Sequence, residues 1–157
     1  MIFGTVGTHD QPFNRLLSGL DEIADEYDKV VTQVGHSTYR PKNMEWFDFV
    51  AESEINNYYR NASVIVGHAG AGTILTALSY GKPIVLMPRR KQYDEHIDDH
   101  QLELTAALRE REGVFIVKMA DELKAAIDDA LAYTQTKTTS SGELVTYLSA
   151  NIERLVD

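Results

Sequence analysis

The chain has 157 residues, a length that allows one domain with a substantial buried core. Hydrophobic residues make up 43% of it and charged residues 25%, and no stretch approaches the roughly 20 apolar residues that span a bilayer. The net charge of −9 argues against nucleic acid as a partner, because phosphate backbones are bound by basic surfaces. The absence of cysteine excludes disulfides and thiolate metal sites and, with no signal peptide in view, favours a cytoplasmic protein.

Strand and helix patterns alternate in the first part of the chain. Runs of apolar and β-branched residues predict three strands, at residues 1–6, 29–35 and 44–50. Apolar residues at three- and four-residue steps predict one helix that follows Pro12 and runs to Tyr27, and a shorter one over 55–61.

The segment from residue 63 to residue 91 is the most informative. A β-branched run, Val64-Ile65-Val66, is followed by the loop G-H-A-G-A-G at 67–72, a helix from Thr73 to Gly81 and a strand at 83–87. This order of elements places backbone N–H groups and a helix N-terminus against a phosphate, which glycine allows to approach closely. The segment therefore predicts a nucleotide-diphosphate site, with the loop histidine as a further donor.

The second half continues the alternation. A helix is predicted at 97–111, a strand at 114–118 and a helix at 121–133 that Asp121 caps. These elements close a domain at 1–133, followed by a polar linker at 134–141 and a last amphipathic helix at 142–157 that packs on the domain or on a partner. The pattern predicts an α/β, Rossmann-like parallel sheet with helices on both faces. Its two glycine loops, at 4–8 and 67–72, are expected to meet at one crevice.

Neither the glycine loop nor the basic run after it has a single interpretation. The loop reads G-x-x-G-x-G rather than the dinucleotide fingerprint G-x-G-x-x-G, and its glycines could equally serve close helix–sheet packing. The run Arg89-Arg90-Lys91 could face a diphosphate, an anionic lipid head group or only water, because acidic residues follow it closely.

Three motifs together resemble the carboxyl-terminal domain of glycosyltransferase family 28. They are H-A-G-A-G-T-I-L-T-A-L-S-Y-G-K-P from His68, D-D-H-Q-L-E-L from Asp98, and F-G-T-V-G-T-H-D-Q-P-F from Phe3. The resemblance covers about residues 1–133 and implies a UDP-sugar-binding domain equivalent to the C-terminal half of a GT-B glycosyltransferase. In layout the chain is similar to members that form the small subunit of a two-subunit UDP-N-acetylglucosamine transferase of lipid-linked oligosaccharide synthesis, and to bacterial exopolysaccharide relatives.

The resemblance implies three groups of UDP-sugar-binding residues. One group holds the diphosphate, a second contacts the hydroxyls of the donor sugar, and a third position holds the ribose. The diphosphate residues are Gly7, Thr8, His68, Ala69, Gly70, Ala71 and Gly72, and the sugar residues are His100 and Gln101 with Asp99 beside them. The ribose position departs from the family, because Thr76 stands where a glutamate usually holds both ribose hydroxyls. We therefore expect a weaker nucleoside contact or one supplied by another residue.

The resemblance also implies the reaction. A hexose or N-acetylhexosamine would pass from a UDP-sugar to a lipid-diphosphate-linked acceptor, and the helix end and loop amides would stabilise the leaving diphosphate. We expect neither cofactor nor metal, since no D-x-D motif is present. No acceptor domain precedes Met1, so a membrane-anchored partner subunit is expected to supply acceptor binding and the general base and to recruit the chain to the cytoplasmic face of the membrane. His9 is the candidate base on this chain.

Two other functions and one metal site remain as alternatives. An NADP-dependent reductase would place Arg89 or Arg90 on the 2′-phosphate, although the glycine order and the lack of a tyrosine–lysine pair count against it. A non-catalytic, UDP-sugar-binding regulatory subunit is compatible with Thr76. His96 and His100 have a spacing suited to zinc if Asp99 joined them, but no further ligand follows at a recognisable spacing.

Overall fold

The computed structural model describes residues 1–134 of the chain, in which strands and helices alternate as predicted. The strands are β1 (Ile2–Thr5), β2 (Val30–Gln33), β3 (Glu45–Phe47), β4 (Val64–His68), β5 (Ile84–Met87) and β6 (Val114–Ile116). The helices are α1 (Asn14–Ile23), α2 (Glu52–Asn61), α3 (Ala71–Ser79), α4 (His100–Leu108) and α5 (Leu123–Thr134). Thr134, predicted to begin the linker, is the last residue of α5. The rest of the predicted linker and the last helix lie outside the described residues.

All six strands form one parallel sheet in the order β3-β2-β1-β4-β5-β6. The chain builds outward from β1 in one direction and then, beginning with β4, in the other. The boundary between β1 and β4 is therefore the topological switch point, outside which ligands of such sheets bind at the carboxyl ends of the strands. The predicted Rossmann-like sheet is confirmed.

Helices cover both faces of the sheet, as the continuous apolar strands require. On one face Val64 and Val66 pack in a cluster with leucines of α1 and with Ile127 of α5. On the other face Ile65 packs in a cluster that includes Ile74 of α3 and residues of α4. Neighbouring residues of one strand thus serve opposite faces. Within residues 1–134, none of the helices has both the length and the apolar character needed to cross a bilayer.

Several helix boundaries differ from the prediction because side chains bond the backbone locally. The helix predicted from residue 97 begins only at His100, since the Asp98 carboxylate accepts the His100 N–H at 3.0 Å and Asp99 accepts the Lys91 N–H at 3.0 Å. The carboxylates thereby order a loop instead of the first helical turn. The helix predicted from Thr73 begins two residues earlier, and the helix predicted to reach Tyr27 ends in a short 3₁₀ helix at Ala24–Glu26.

The predicted cap of α5 by Asp121 is wrong. Asp121 lies inside a short 3₁₀ helix at Ala120–Glu122 that leads into α5. The Glu122 carboxylate reaches back instead and accepts the N–H groups of Met119 at 2.8 Å and Lys118 at 3.0 Å. A glutamate three residues into such a turn can satisfy the amides that precede it, which is the carboxylate half of a capping box.

The buried side chain of Asp21, in α1, binds the loop at residues 39–43 by hydrogen bonds. Its carboxylate accepts the Tyr39 hydroxyl at 2.6 Å and the backbone N–H groups of Lys42 at 3.0 Å and Asn43 at 2.8 Å. Burial alone raises the pKa of Asp21, but the hydrogen bonds outweigh it and hold the pKa below its ordinary value of 3.8. The charged form of Asp21 is therefore stabilised by folding.

We expect Asp21→Ala to lower the free energy of unfolding by about 2 kcal/mol, because it removes the charged acceptor of three partly buried hydrogen bonds. Asp25→Ala, an exposed change in the adjoining 3₁₀ helix, is the matched control and should cost less than about 0.5 kcal/mol. Because the native pKa is depressed, the advantage of the wild type is present above pH 3.8 and shrinks as the pH falls through the lower native pKa. Urea unfolding over pH measures both effects, and equal stabilities of the two variants would contradict this assignment.

Candidate functional site

A crevice of about 580 Å³ opens at the carboxyl ends of β1 and β4, at the switch point of the sheet. Both glycine loops line it, as the sequence predicts, and α2 supplies a further wall. The lining residues are Thr5, Gly7, Thr8, Gln33, Phe49, Val50, Glu52, Ile55, Asn56, Tyr59, His68, Gly70, Ala71, Gly72, Thr73 and Thr76.

The first loop is held in place by the last residue of β1. The Thr5 hydroxyl donates to Gln33 Oε1 at 2.7 Å and accepts the Gly7 N–H at 3.1 Å. Gly7 has a φ of 74°, in the left-handed region that favours glycine. A Cβ at this position would also lie 2.6 Å from His68 Cε1. The sequence thus needs glycine here both for the turn and for the histidine ring.

The second loop leads directly into the first turn of α3. Gly70 is the N-cap, and the first hydrogen bond from it runs from the Ile74 N–H to the Gly70 carbonyl at 3.1 Å. The amides of residues 71–73 therefore precede the first helical hydrogen bond and have no partner within the helix. Since this turn lines the crevice, the crevice wall carries N–H groups and the positive end of the α3 dipole.

The imidazole of His68 lies between the two glycine loops. The residue is only 2% exposed, and a Cβ on Gly70 would lie 2.8 Å from its Nε2 atom. The same Nε2 atom is 3.1 Å from the Thr73 hydroxyl, whereas Nδ1 is 3.1 Å from Gln101 Nε2. The ring is therefore packed against two glycines and contacted at both nitrogens by side chains.

The wall formed by α2 and the loop after β3, called here the far wall, contains residues that the sequence analysis missed. Phe49 follows β3 with 43% of its surface exposed, and Glu52, Asn56 and Tyr59 come from α2. Glu52 and Asn56 are four residues apart, so they share one face of the helix. A signal for them existed, because β3 ends at the same edge of the parallel sheet as β1 and β4. The convergence predicted for the glycine loops applies equally to the loop after β3.

Thr76 lines the crevice, but its hydroxyl bonds within α3. Its Oγ1 donates to the Gly72 carbonyl at 2.8 Å, one turn earlier. This bond uses the proton of the hydroxyl, which leaves Thr76 only an acceptor for a ligand in this conformation. The carboxylate that lines the crevice belongs instead to Glu52, on the opposite element.

The residues predicted for the donor sugar do not line the crevice. Asp99 and His100 lie where α4 begins, and Asp98 holds the His100 ring with Nδ1 at 3.3 Å. Gln101 is 1% exposed, and its Oε1 accepts the N–H groups of Ala69 and Arg89, each at 3.0 Å. The predicted phosphate contact of the Ala69 amide is therefore occupied by Gln101. In this conformation Gln101 supports the glycine loop from behind.

His9 and the other histidines of this region form a separate cluster beside the crevice. The His9 ring stacks on His96 with centroids 4.4 Å apart, and its Nε2 is 2.9 Å from Gln11 Oε1. His96 and His100 both turn Nδ1 toward Asp98, at 3.0 and 3.3 Å. Among residues 1–134, no group of three or more potential ligands is arranged to hold a metal ion.

The structure corrects the predictions for Arg89, which placed this residue of the basic run in solvent or on a ligand. It is fully buried, and its guanidinium donates to the carbonyls of Val6 at 2.6 Å, Gln11 at 2.8 Å and Glu95 at 3.0 Å. The side chain thus joins the loop after β5 to the loop after β1. It is not available for the 2′-phosphate of NADP, so the reductase interpretation loses one of its two arginines.

A protein-family model matches almost the whole chain. The model of the family described as "Glycosyltransferase family 28 C-terminal domain" matches residues 1–151. The chain belongs to this family. Residues 1–151 include both glycine loops and the whole described fold, so the family assignment covers the crevice and its walls.

Curated relatives of the family 28 domain are sugar-nucleotide transferases. The chain is 33% identical over 70 residues to the UDP-N-acetylglucosamine transferase subunit ALG13 of Candida albicans, covering 45% of this chain and 22% of that protein. It is 28% identical over 126 residues to human ALG13, covering 73% and 11%. It is also 31% identical over 97 residues to the UDP-N-acetylglucosamine–N-acetylmuramyl-(pentapeptide) pyrophosphoryl-undecaprenol N-acetylglucosamine transferase of Cytophaga hutchinsonii, covering 62% and 25%. The chain thus spans at most a quarter of the length of these relatives.

Solved structures share the fold at low sequence identity. The kitacinnamycin glycosyltransferase has a TM-score of 0.63 at 20% identity, over 86% of this chain and 37% of that one. Acinetobacter baumannii MurG has a TM-score of 0.57 at 17% identity, over 93% and 48%. The NMR structure of ALG13 has a TM-score of 0.53 at 18% identity, over 88% and 86%. They confirm the predicted fold class, a Rossmann-like domain equivalent to the C-terminal half of a GT-B glycosyltransferase.

Proposed function

We propose that the chain is the donor-binding and catalytic subunit of a UDP-sugar-dependent glycosyltransferase. The observation that supports it most directly is the crevice at the switch point, where the first turn of α3 and the His68 ring lie beside the Gly7 loop. A helix N-terminus with free amides is a general site for a diphosphate. The family membership and the UDP-N-acetylglucosamine named for its relatives identify the class of donor.

Different residues of the crevice suit different parts of a UDP-sugar. The amides of α3 and His68 would hold the diphosphate, whereas Phe49 offers an exposed ring on which a flat base can stack. Glu52 would accept hydrogen bonds from the ribose hydroxyls, because a carboxylate suits a diol but repels a phosphate.

Catalysis on this chain would consist of stabilising the leaving group. As the bond between sugar and diphosphate breaks, negative charge grows on UDP, and fixed N–H groups favour it most at that moment. The reaction also needs a base for the acceptor hydroxyl. His9 does not line the crevice and is bonded to Gln11, so we propose that a partner subunit supplies the base.

The partner and acceptor are proposed from the relatives. ALG13 is named a transferase subunit, and the Cytophaga relative is named for a pyrophosphoryl-undecaprenol acceptor. We propose an acceptor linked to a lipid diphosphate, bound by a membrane-anchored subunit that recruits this chain to the cytoplasmic face of the membrane. The sugar would be a hexose or an N-acetylhexosamine.

Calorimetric titration of the purified chain tests the donor site. We expect UDP and one UDP-sugar to bind, and NADP and inorganic diphosphate to bind far more weakly, because the far wall is built for a nucleoside. The same protein mixed with a folded sample of its partner should transfer the sugar of that donor. Binding of NADP without binding of UDP would overturn the proposal, and so would the absence of a binding signal with every nucleotide.

A non-catalytic regulatory subunit is the second candidate. The observation in its favour is that Thr76 replaces the usual ribose-binding glutamate and bonds the Gly72 carbonyl instead. Such a subunit would bind a UDP-sugar and change the activity of its partner without transferring the sugar. The reconstituted transfer assay separates the two functions when the partner is also assayed alone: a regulatory subunit only changes a transfer that the partner performs by itself, whereas a catalytic subunit is required for any transfer.

A further inference from the structure

Gln101 is a buried polar side chain that joins the ends of the neighbouring strands β4 and β5 beside the crevice. Its Oε1 accepts the N–H of Ala69, directly after β4, and the N–H of Arg89, two residues after β5, each at 3.0 Å. An amide nitrogen cannot accept these bonds, so the two donors identify which atom of the carboxamide is oxygen. The NH₂ group is therefore the part that faces His68.

This orientation determines where the proton of the histidine lies. Gln101 Nε2 is 3.1 Å from His68 Nδ1, so Nδ1 accepts and the neutral ring has its proton on Nε2. From Nε2 the ring donates to the Thr73 hydroxyl, 3.1 Å away. The tautomer is thus set by a buried neighbour and not by solvent.

The chain of donors continues to the crevice wall. Burial raises the pKa of Tyr59 to about 12, and a hydrogen bond with Thr73 acts in the opposite direction. The Thr73 hydroxyl is thus held between His68 and Tyr59, so the series from Gln101 to Tyr59 links the buried carboxamide to the crevice wall.

We propose that Gln101 is a positioning residue that holds His68 as the neutral imidazole protonated on Nε2, the atom on the Thr73 side of the crevice. The inference rests on the proposed nucleotide-diphosphate site. With the proton on Nδ1, Nε2 would carry a lone pair and could not donate, either to Thr73 or to a diphosphate oxygen that took the place of the Thr73 hydroxyl. This role replaces the predicted contact of Gln101 with sugar hydroxyls, which a 1% exposed amide cannot make without moving.

The substitution Gln101→Glu distinguishes a role in positioning the His68 proton from a role in supporting the loop backbone. One carboxylate oxygen can still accept the amides of Ala69 and Arg89, whereas the other offers His68 an acceptor in place of a donor. Other titratable groups of this region are Tyr59, reached through Thr73, Glu52 on the far wall, and Arg89, whose guanidinium donates to backbone carbonyls. They are unchanged by the variant. Gln92→Glu, an exposed change in the 3₁₀ helix at Lys91–Tyr93, adds the same charge and is the matched control.

The first readout is ¹⁵N NMR of the histidines in the full chain. At about pH 8.5, where a free imidazole is neutral, the wild type and Gln92→Glu should show His68 protonated on Nε2. Gln101→Glu should show the proton on Nδ1 and should become doubly protonated at a higher pH than the wild type. A wild-type ring with its proton on Nδ1, or an unchanged pattern in Gln101→Glu, would overturn the proposal. The wild-type spectrum alone decides it if that variant does not fold.

The second readout is UDP affinity at two pH values. Gln101→Glu should bind UDP about tenfold more weakly than the wild type at about pH 8.5, where Nε2 has lost its proton. At about pH 6 the introduced carboxylate favours a ring with a proton on both nitrogens, which restores the Nε2 proton of the variant, and the two affinities should approach each other. An equal loss at both pH values would mean a supporting role only and would reject positioning. Failure of the wild type to bind UDP rejects the proposed function, whereas the NMR comparison still tests Gln101.

Discussion

Gly70→Ala is expected to lower the affinity for UDP at least about 100-fold, or about 2.7 kcal/mol. The added Cβ would lie 2.8 Å from His68 Nε2, closer than real Cβ atoms approach another heavy atom. The ring has no room to retreat, because Gly7 packs on it and Thr73 and Gln101 hold its nitrogens. The ring or the start of α3 must therefore move, and both belong to the proposed diphosphate site.

Backbone strain does not contribute to this effect. Gly70 has φ −81° and ψ 141°, values that alanine adopts readily, so the substitution isolates the contact with the ring. Gly72→Ala is the matched control for folding, since a Cβ at that helical position has no protein atom within 4 Å, although Gly72 also lines the crevice. It should raise the stability of α3 by up to about 1 kcal/mol. Thermal unfolding and UDP titration of both variants measure the difference. A Gly70→Ala protein that binds UDP like the wild type would remove His68 from the site.

The sheet could be predicted because its evidence is local. Val64, Ile65 and Val66 are all buried, so the strand reads as a continuous apolar run, and the glycines of the next loop mark its end. The meeting of the two glycine loops followed from the parallel topology alone. Helix boundaries were less predictable, because Asp98 and Asp99 bond nearby amides instead of extending α4.

The buried polar residues could not be predicted, because their partners are remote in the sequence. Arg89 and Gln101 stand in polar segments that are typical of exposed loops and helix starts. Their partners are backbone groups such as the Val6 carbonyl and the Ala69 amide, and backbone groups leave no trace in the sequence. A buried polar side chain is stable only when such partners exist, so burial becomes apparent only once the strand ends are placed together.

Glu52 is the residue that the structure adds to the proposed nucleoside site. It begins α2, lines the crevice opposite Thr76, and is followed one turn later by Asn56. Because the Thr76 hydroxyl donates to Gly72, the carboxylate of Glu52 is the acceptor suited to a pair of ribose hydroxyls.

Glu52→Gln is expected to weaken UDP binding about tenfold, because neutral amides form weaker hydrogen bonds to hydroxyls than a carboxylate does. Binding of inorganic diphosphate should stay equal or improve, since the variant removes a negative charge. Glu54→Gln is the matched control, as it removes the same charge from the same first turn of α2 without lining the crevice.

Titration with 2′-deoxy-UDP completes the comparison. Removal of the 2′-hydroxyl should lower the affinity of the wild type more than the affinity of Glu52→Gln, because both changes remove the same interaction. Equal costs in the two proteins would mean that the ribose is held elsewhere, and the crevice would then bind the diphosphate without reading the nucleoside through Glu52.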